Sequence, residues 1–137
     1  MASIKHQFIL DCIIRRMRQL GFEPISFEGK STIVNSLKIP PRVLRHRPDI
    51  ISINLDHELC IGEGKTNNDV SSPRTKEQLT DYQKAGFFII LGCPVSAYYQ
   101  VKKITEKINR EHKNILILLE FLKIIYKERI HGNLVKR

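Results

Sequence analysis

The sequence predicts a single α/β domain in which a mixed central β-sheet, including one β-hairpin, is flanked by helices. Three observations carry this expectation. A chain of 137 residues has room for one core. Its 42% hydrophobic and 27% charged residues are the proportions of a folded globular protein. Segments with helical spacing alternate with short apolar runs in the order α-β-(ββ)-α-β-α-β. Strands joined through helices should run parallel and the hairpin antiparallel, so the sheet is expected to be mixed and residues 1–137 to form one domain.

The first helix is read over residues 4–20, where Leu10, Ile13, Ile14, Met17 and Leu20 recur at helical spacing. Arg15, Arg16, Arg18 and Gln19 lie opposite, and Gly21 closes the run as a C-cap. Phe22 to Phe27 follows as a short strand, and residues 28–47, with Pro40-Pro41, form a loop. Two apolar-rich runs, Ile50 to Asn54 and Leu59 to Lys65, are separated by Leu55-Asp56-His57 and predict a hairpin. After a polar loop to Pro73, Arg74 to Ala85 reads as a helix with Leu79, Tyr82 and Ala85 inward. Gly86 ends it before an interior strand, Phe87 to Leu91. Pro94 opens a last helix whose Ala97, Val101, Ile104 and Ile108 face inward, and a strand is expected at Ile115 to Leu119. Beyond it, Phe121, Leu122, Ile124 and Ile125 continue a helix or cover a partner surface.

The apolar runs are too short to span a membrane, and Lys5, His6 and Asp11 interrupt the N-terminus where a signal peptide would be apolar. An intracellular, cytoplasmic protein is therefore expected, with Cys12, Cys60 and Cys93 as reduced, buried thiols rather than a disulfide framework. The net charge of +9 points to an anionic partner, nucleic acid ahead of membrane. Its distribution is uneven: residues 1–48 and 100–137 each carry +6, whereas residues 49–99 carry −3. Basic flanks around an acidic centre suit a polyanion held near a divalent cation.

Some chemistries are set aside. Glu28-Gly29-Lys30-Ser31-Thr32 has the ending of a phosphate-binding loop, but Pro24 stands where the first glycine belongs. His6, His46, His57, His112 and His131 lack metal-ligand spacing and read as surface or locally bonded histidines.

The hairpin is where chemistry concentrates. If it is symmetric about Asp56, Asp49 lies opposite Glu63 and Ile51 opposite Ile61. Glu63 and Lys65 then share a face with Ile51, Ile53, Leu59 and Ile61, so two carboxylates and an ammonium end an otherwise apolar surface. Like charges placed opposite one another need something positive between them. Hard oxygen ligands from two carboxylates suit Mg²⁺, and Lys65 could orient a water or offset phosphoryl charge. Arg42, Arg45 and Arg47 precede Pro48-Asp49, and Arg74 lies one helical turn from Gln78, so these arginines are candidates for phosphate contact.

Pro48-Asp49 followed by Glu63-Gly64-Lys65 at the end of the second hairpin strand resembles the signature of the PD-(D/E)xK, or restriction-endonuclease-like, nuclease superfamily. The surrounding order of elements is similar to that of small stand-alone nucleases and archaeal-type Holliday-junction resolvases. The resemblance implies a restriction-endonuclease-like domain that hydrolyses phosphodiester bonds in DNA. It implies Asp49 and Glu63 as metal ligands, the Gly64 carbonyl as a third, Lys65 as catalytic lysine and Gln78 as an auxiliary group. Mg²⁺ would be the metal, with Mn²⁺ able to substitute. Asp11 matches the family's first-helix acid loosely, and Gly64 replaces a more usual apolar residue. Three alternatives stay open: an inactive nucleic-acid-binding protein on the same fold, a structure-selective resolvase acting as a homodimer, and an RNA nuclease.

Overall fold

The computed structural model describes residues 4–29, 33–34, 37–66, 72–111 and 116–118. Helix α1 (Ile4–Gln19) leads into β1 (Glu23–Phe27), and the hairpin follows as β2 (Ile50–Ile53) and β3 (Leu59–Gly64). Then come α2 (Pro73–Lys84), β4 (Phe88–Gly92), α3 (Tyr98–Glu111) and β5 (Leu116–Leu118). Among the described residues these strands form one sheet in sequence order, β1-β2-β3-β4-β5. The first two pairings are antiparallel and the last two parallel, with α2 and α3 as the crossovers. The chain is thus α/β with a mixed sheet. The expected apolar segment at 121–125 lies outside the described residues.

Period-two alternation along the strands splits the core into two layers. On one face Ile50, Cys60 and Ile90 pack against Ile9, Leu10, Ile13, Ile14 and Met17 of α1. On the other, Ile51, Ile61, Ile89 and Leu91 meet Leu79 and Tyr82 of α2 and Val101 and Ile108 of α3. Cys12 and Cys60 belong to the first layer and Cys93 to the second, all buried and none in a disulfide. Burial pushes the Cys60 thiol up to about 12 and the Cys93 thiol to about 11.

Helix ends follow their local chemistry. Gly21 and Gly86 both take φ of 90°, and the next residue's N–H returns to a carbonyl five residues back, Phe22 to Met17 at 2.8 Å and Phe87 to Tyr82 at 3.2 Å. Leu20, expected on the buried stripe, falls past the end of α1 and is 39% exposed. At the start of α2 the Ser72 hydroxyl accepts from the Thr75 N–H at 3.2 Å, with Pro73 in the first turn. The helix expected to open at Pro94 instead begins with a 3₁₀ turn, Val95–Ala97. Pro94 is extended with ψ of 155°, so it caps that turn from outside.

The approach of α1 to the sheet depends on missing side chains. A Cβ on Gly62 would lie 2.7 Å from Ile13 Cγ2 and 2.8 Å from Met17 Cε, and one on Gly92 would lie 2.9 Å from Ile13 Cδ1. Gly64 pairs directly with Gly92 across β3 and β4, and a Cβ there would meet Ile9 and Leu10 at 3.1 Å. Glycine on this face opens a shallow bed into which the large side chains of α1 settle. Among the described residues no helix is long and apolar enough to cross a membrane.

Candidate active site

The hairpin has the register that its symmetry predicts: Ile50 opposite Gly62, Ile51 opposite Ile61, Ser52 opposite Cys60 and Ile53 opposite Leu59. Asn54 fixes the connection, its Oδ1 accepting from the N–H groups of Asp56 at 3.0 Å and Glu58 at 2.8 Å. Carrying the same register one residue past the ladder brings Asp49 to Glu63. Asp49 is held there twice: its Oδ2 accepts from the Gly64 N–H at 2.9 Å, and its carbonyl accepts from the Glu28 N–H at 2.9 Å.

Glu63 is 3% exposed and points toward α2. The Tyr82 hydroxyl donates to its Oε1 at 3.0 Å, and Lys65 Nζ stands 3.9 Å from its Oε2. Burial, and then the neighbouring Asp49 carboxylate, hold the Glu63 carboxyl well above the usual carboxylate range, against the opposing pull of Lys65 and Tyr82. Burial followed by Glu63 raises the Tyr82 hydroxyl in turn. Lys65 is not paired tightly with either acid. Its ammonium donates to Gln78 Oε1 at 2.6 Å.

These groups open onto a cleft of about 270 Å³ lined by Asp49, Glu63, Gly64, Lys65 and Gln78 together with His6, Glu28, Arg47, Ser72 and Arg74. Of the four arginines expected to meet phosphate, Arg47 and Arg74 reach the cleft. Arg47 stands 3.8 Å from Glu28. Arg42 and Arg45 do not reach it: Arg42 donates to the Arg45 carbonyl at 3.2 Å, and Arg45 is paired with Glu77 at 3.0 Å. They sit on a turn that faces α2 and an apolar groove. Asp11 does not line the cleft.

The first helix contributes His6 instead. His6 Nε2 lies 3.0 Å from the Gly64 carbonyl oxygen and 3.5 Å from Asp49 Oδ2, beside two of the oxygens expected to be metal ligands. The hydrogen bond to Asp49 is the largest influence raising the His6 imidazole above its ordinary value, with burial opposing it and the Gly64 carbonyl assisting. The reading of every histidine as surface or local therefore fails at His6, and also at His46, which is buried and bonded to Asp81 on α2. For His6 a sequence signal existed. Position 6 continues the apolar stripe of 9, 10, 13 and 17 one turn toward the N-terminus, so a polar ring was placed on a buried face. Tyr82, read as core, is fully buried, yet its hydroxyl also reaches the site.

The donor set fits a hard divalent cation. The Asp49 and Glu63 carboxylates meet, Gly64 lines the same cleft, Glu63 is buried, and the Lys65 ammonium is committed to an amide. Comparison of the chain with protein-family models, with curated proteins and with solved structures gives no match.

Proposed function

We propose that this chain is a metal-dependent DNA endonuclease with a PD-(D/E)xK-type site on a restriction-endonuclease-like domain. The observation that carries the reading is Glu63, a buried carboxyl beside Asp49 that among the described residues has one ion pair, with Lys65 at 3.9 Å, whose ammonium is bonded to Gln78. Such a carboxyl lacks compensating positive charge, which a divalent cation would supply. Asp49, Glu63 and the Gly64 carbonyl would hold it. Bound there, Mg²⁺ or Mn²⁺ supplies an acidified water and offsets charge on a phosphoryl oxygen. The His6 imidazole adds a nitrogen donor at the edge of the set, which suits Mn²⁺ at least as well as Mg²⁺.

The remaining steps belong to the chain. Arg47 and Arg74 offer positive charge to the phosphates on either side of the scissile one. Hydrolysis joins a water oxygen to phosphorus and breaks the bond to one sugar oxygen, which leaves as the alcohol. Lys65, held in place by Gln78, presents its ammonium where negative charge grows on the phosphorus oxygens. Tyr82 occupies one oxygen of Glu63 and so turns the other toward the cleft.

The test is cleavage of labelled duplex, single-stranded, flapped and four-way-junction DNA, and of duplex RNA, with Mg²⁺, Mn²⁺ or EDTA. Cutting of DNA that stops in EDTA is expected. Asp49→Asn should reduce it by about 10²-fold or more and Lys65→Ala by about 10²–10³-fold. Salt-sensitive DNA binding without cutting under any of these conditions would replace this reading with that of a binding protein, and preference for RNA or junctions would redefine the substrate.

A further inference from the structure

We propose that His46, Glu77 and Asp81 form a second divalent-cation site, of the kind that takes Zn²⁺, separate from the cleft. None of the three lines the cleft, and the inference does not need the nuclease reading. Glu77 and Asp81 stand one turn apart on the same face of α2, and His46 reaches them from the turn that precedes Asp49. His46 Nε2 is 2.8 Å from Asp81 Oδ2 and 3.9 Å from Glu77 Oε1, and one ligand atom from each residue falls within 4.8 Å of the others. Ligands about 2.0–2.2 Å from a tetrahedral ion sit roughly 3.3–3.6 Å apart, so both distances from the imidazole nitrogen lie within about 0.8 Å of that spacing. Imidazole with two carboxylates is a borderline-soft set of the kind Zn²⁺ accepts.

The locus already attracts a cation. The Arg45 guanidinium lies 3.0 Å from Glu77 Oε1 and 3.8 Å from Asp81 Oδ2, beside the imidazole nitrogen. Arg45 is 73% exposed, and ion pairs that exposed hold weakly, so a divalent ion displaces it at small cost. The imidazole, by contrast, is 5% exposed and braced edge-on against the Tyr82 ring at 5.9 Å, so the nitrogen donor is pre-oriented. A bound ion would release Arg45 from α2, on the same turn that leads to Arg47.

The experiment measures uptake of Zn²⁺ by the full chain against a chromophoric chelator, and the visible spectrum of added Co²⁺. Asp49→Asn/Glu63→Gln, which removes the cleft carboxylates, should still bind one Zn²⁺ and give the intense bands of low-coordinate Co²⁺. His46→Gln and Asp81→Asn should each weaken uptake at least tenfold in that background. Arg45→Ala removes no ligand and should tighten it severalfold, a gain that a damaged fold would not produce. No uptake by the Asp49→Asn/Glu63→Gln chain, uptake indifferent to His46→Gln and Asp81→Asn, or no tightening by Arg45→Ala would overturn the proposal.

Discussion

Glu63→Gln is expected to abolish metal-dependent cleavage and, in the same protein, to raise metal-free stability at alkaline pH. The sign follows from where the proton sits. Folding raises the Glu63 carboxyl above its ordinary 4.5, so as pH climbs past 4.5 the unfolded chain gives up a proton that the folded chain keeps. Stability must then fall with rising pH across that window. His6 works in the same direction: its imidazole is raised above 6.5, so its contribution is complete below 6.5 and is lost as pH rises through the folded value. Glutamine removes the Glu63 part of this slope while still accepting from Tyr82. Replacing this buried carboxyl by a neutral amide of like volume removes the loss that the titration imposes, so the gain has the sign of the slope. Denaturant unfolding in EDTA should show that gain at pH 8 and its disappearance below pH 4.5. With Mn²⁺ at a hundredfold over its Kd, wild type alone should gain about 2.7 kcal/mol, closing the gap. A Glu63→Gln chain less stable than wild type at pH 8 in EDTA would mean that the carboxylate is already compensated by the protein.

The second large effect is steric. Gly62→Ala should destabilise the fold by about 1–3 kcal/mol, because its methyl would enter the 2.7 Å and 2.8 Å spaces held by Ile13 and Met17. Gly21→Ala makes a contrasting control: nothing lies within 4 Å of its Cβ, and the cost there is only that of φ at 90°. The distinction is checkable by a double-mutant cycle. Ile13→Ala should cost less in the Gly62→Ala chain than in wild type, since each change makes room for the other, whereas Ile13→Ala with Gly21→Ala should be additive. Equal costs in both backgrounds would show that α1 does not rest on Gly62.

Much of this was legible in the sequence. The hairpin register followed from even spacing around Asp56, and with it the meeting of Asp49 and Glu63; the sense of the hairpin pair and of the two helix-linked pairs followed from their connections, whereas the β1–β2 pairing was not read. The order and type of the elements were readable because each has its own period and its own glycine or proline punctuation. The contribution of α1 to the cleft was not read. Whether His6 reaches Gly64, 58 residues away, depends on how closely a helix lies on a sheet, and that spacing is set by glycines on two other strands. His46 was hidden for a different reason: its turn has no period, and the Asp81 that receives it is an ordinary polar residue of an amphipathic helix. Arg42 and Arg45 were placed with Arg47 because they are neighbours in sequence, but the tight Val43–His46 turn sends Arg45 to α2 and leaves Arg42 beside the apolar groove.

The buried thiols give each layer of this molecule its own clock. Alkylating reagents attack thiolate, and with Cys60 pushed up to about 12 and Cys93 to about 11 these two offer almost none at neutral pH while folded. Modification of those two must therefore pass through opening of the structure. Cys60 is uncovered when α1 lifts from the sheet, and Cys93 when the opposite helices do. The order in which the two are labelled under native conditions would date the parting of the helix that brings His6 against the departure of the helix that brings Lys65 its amide partner.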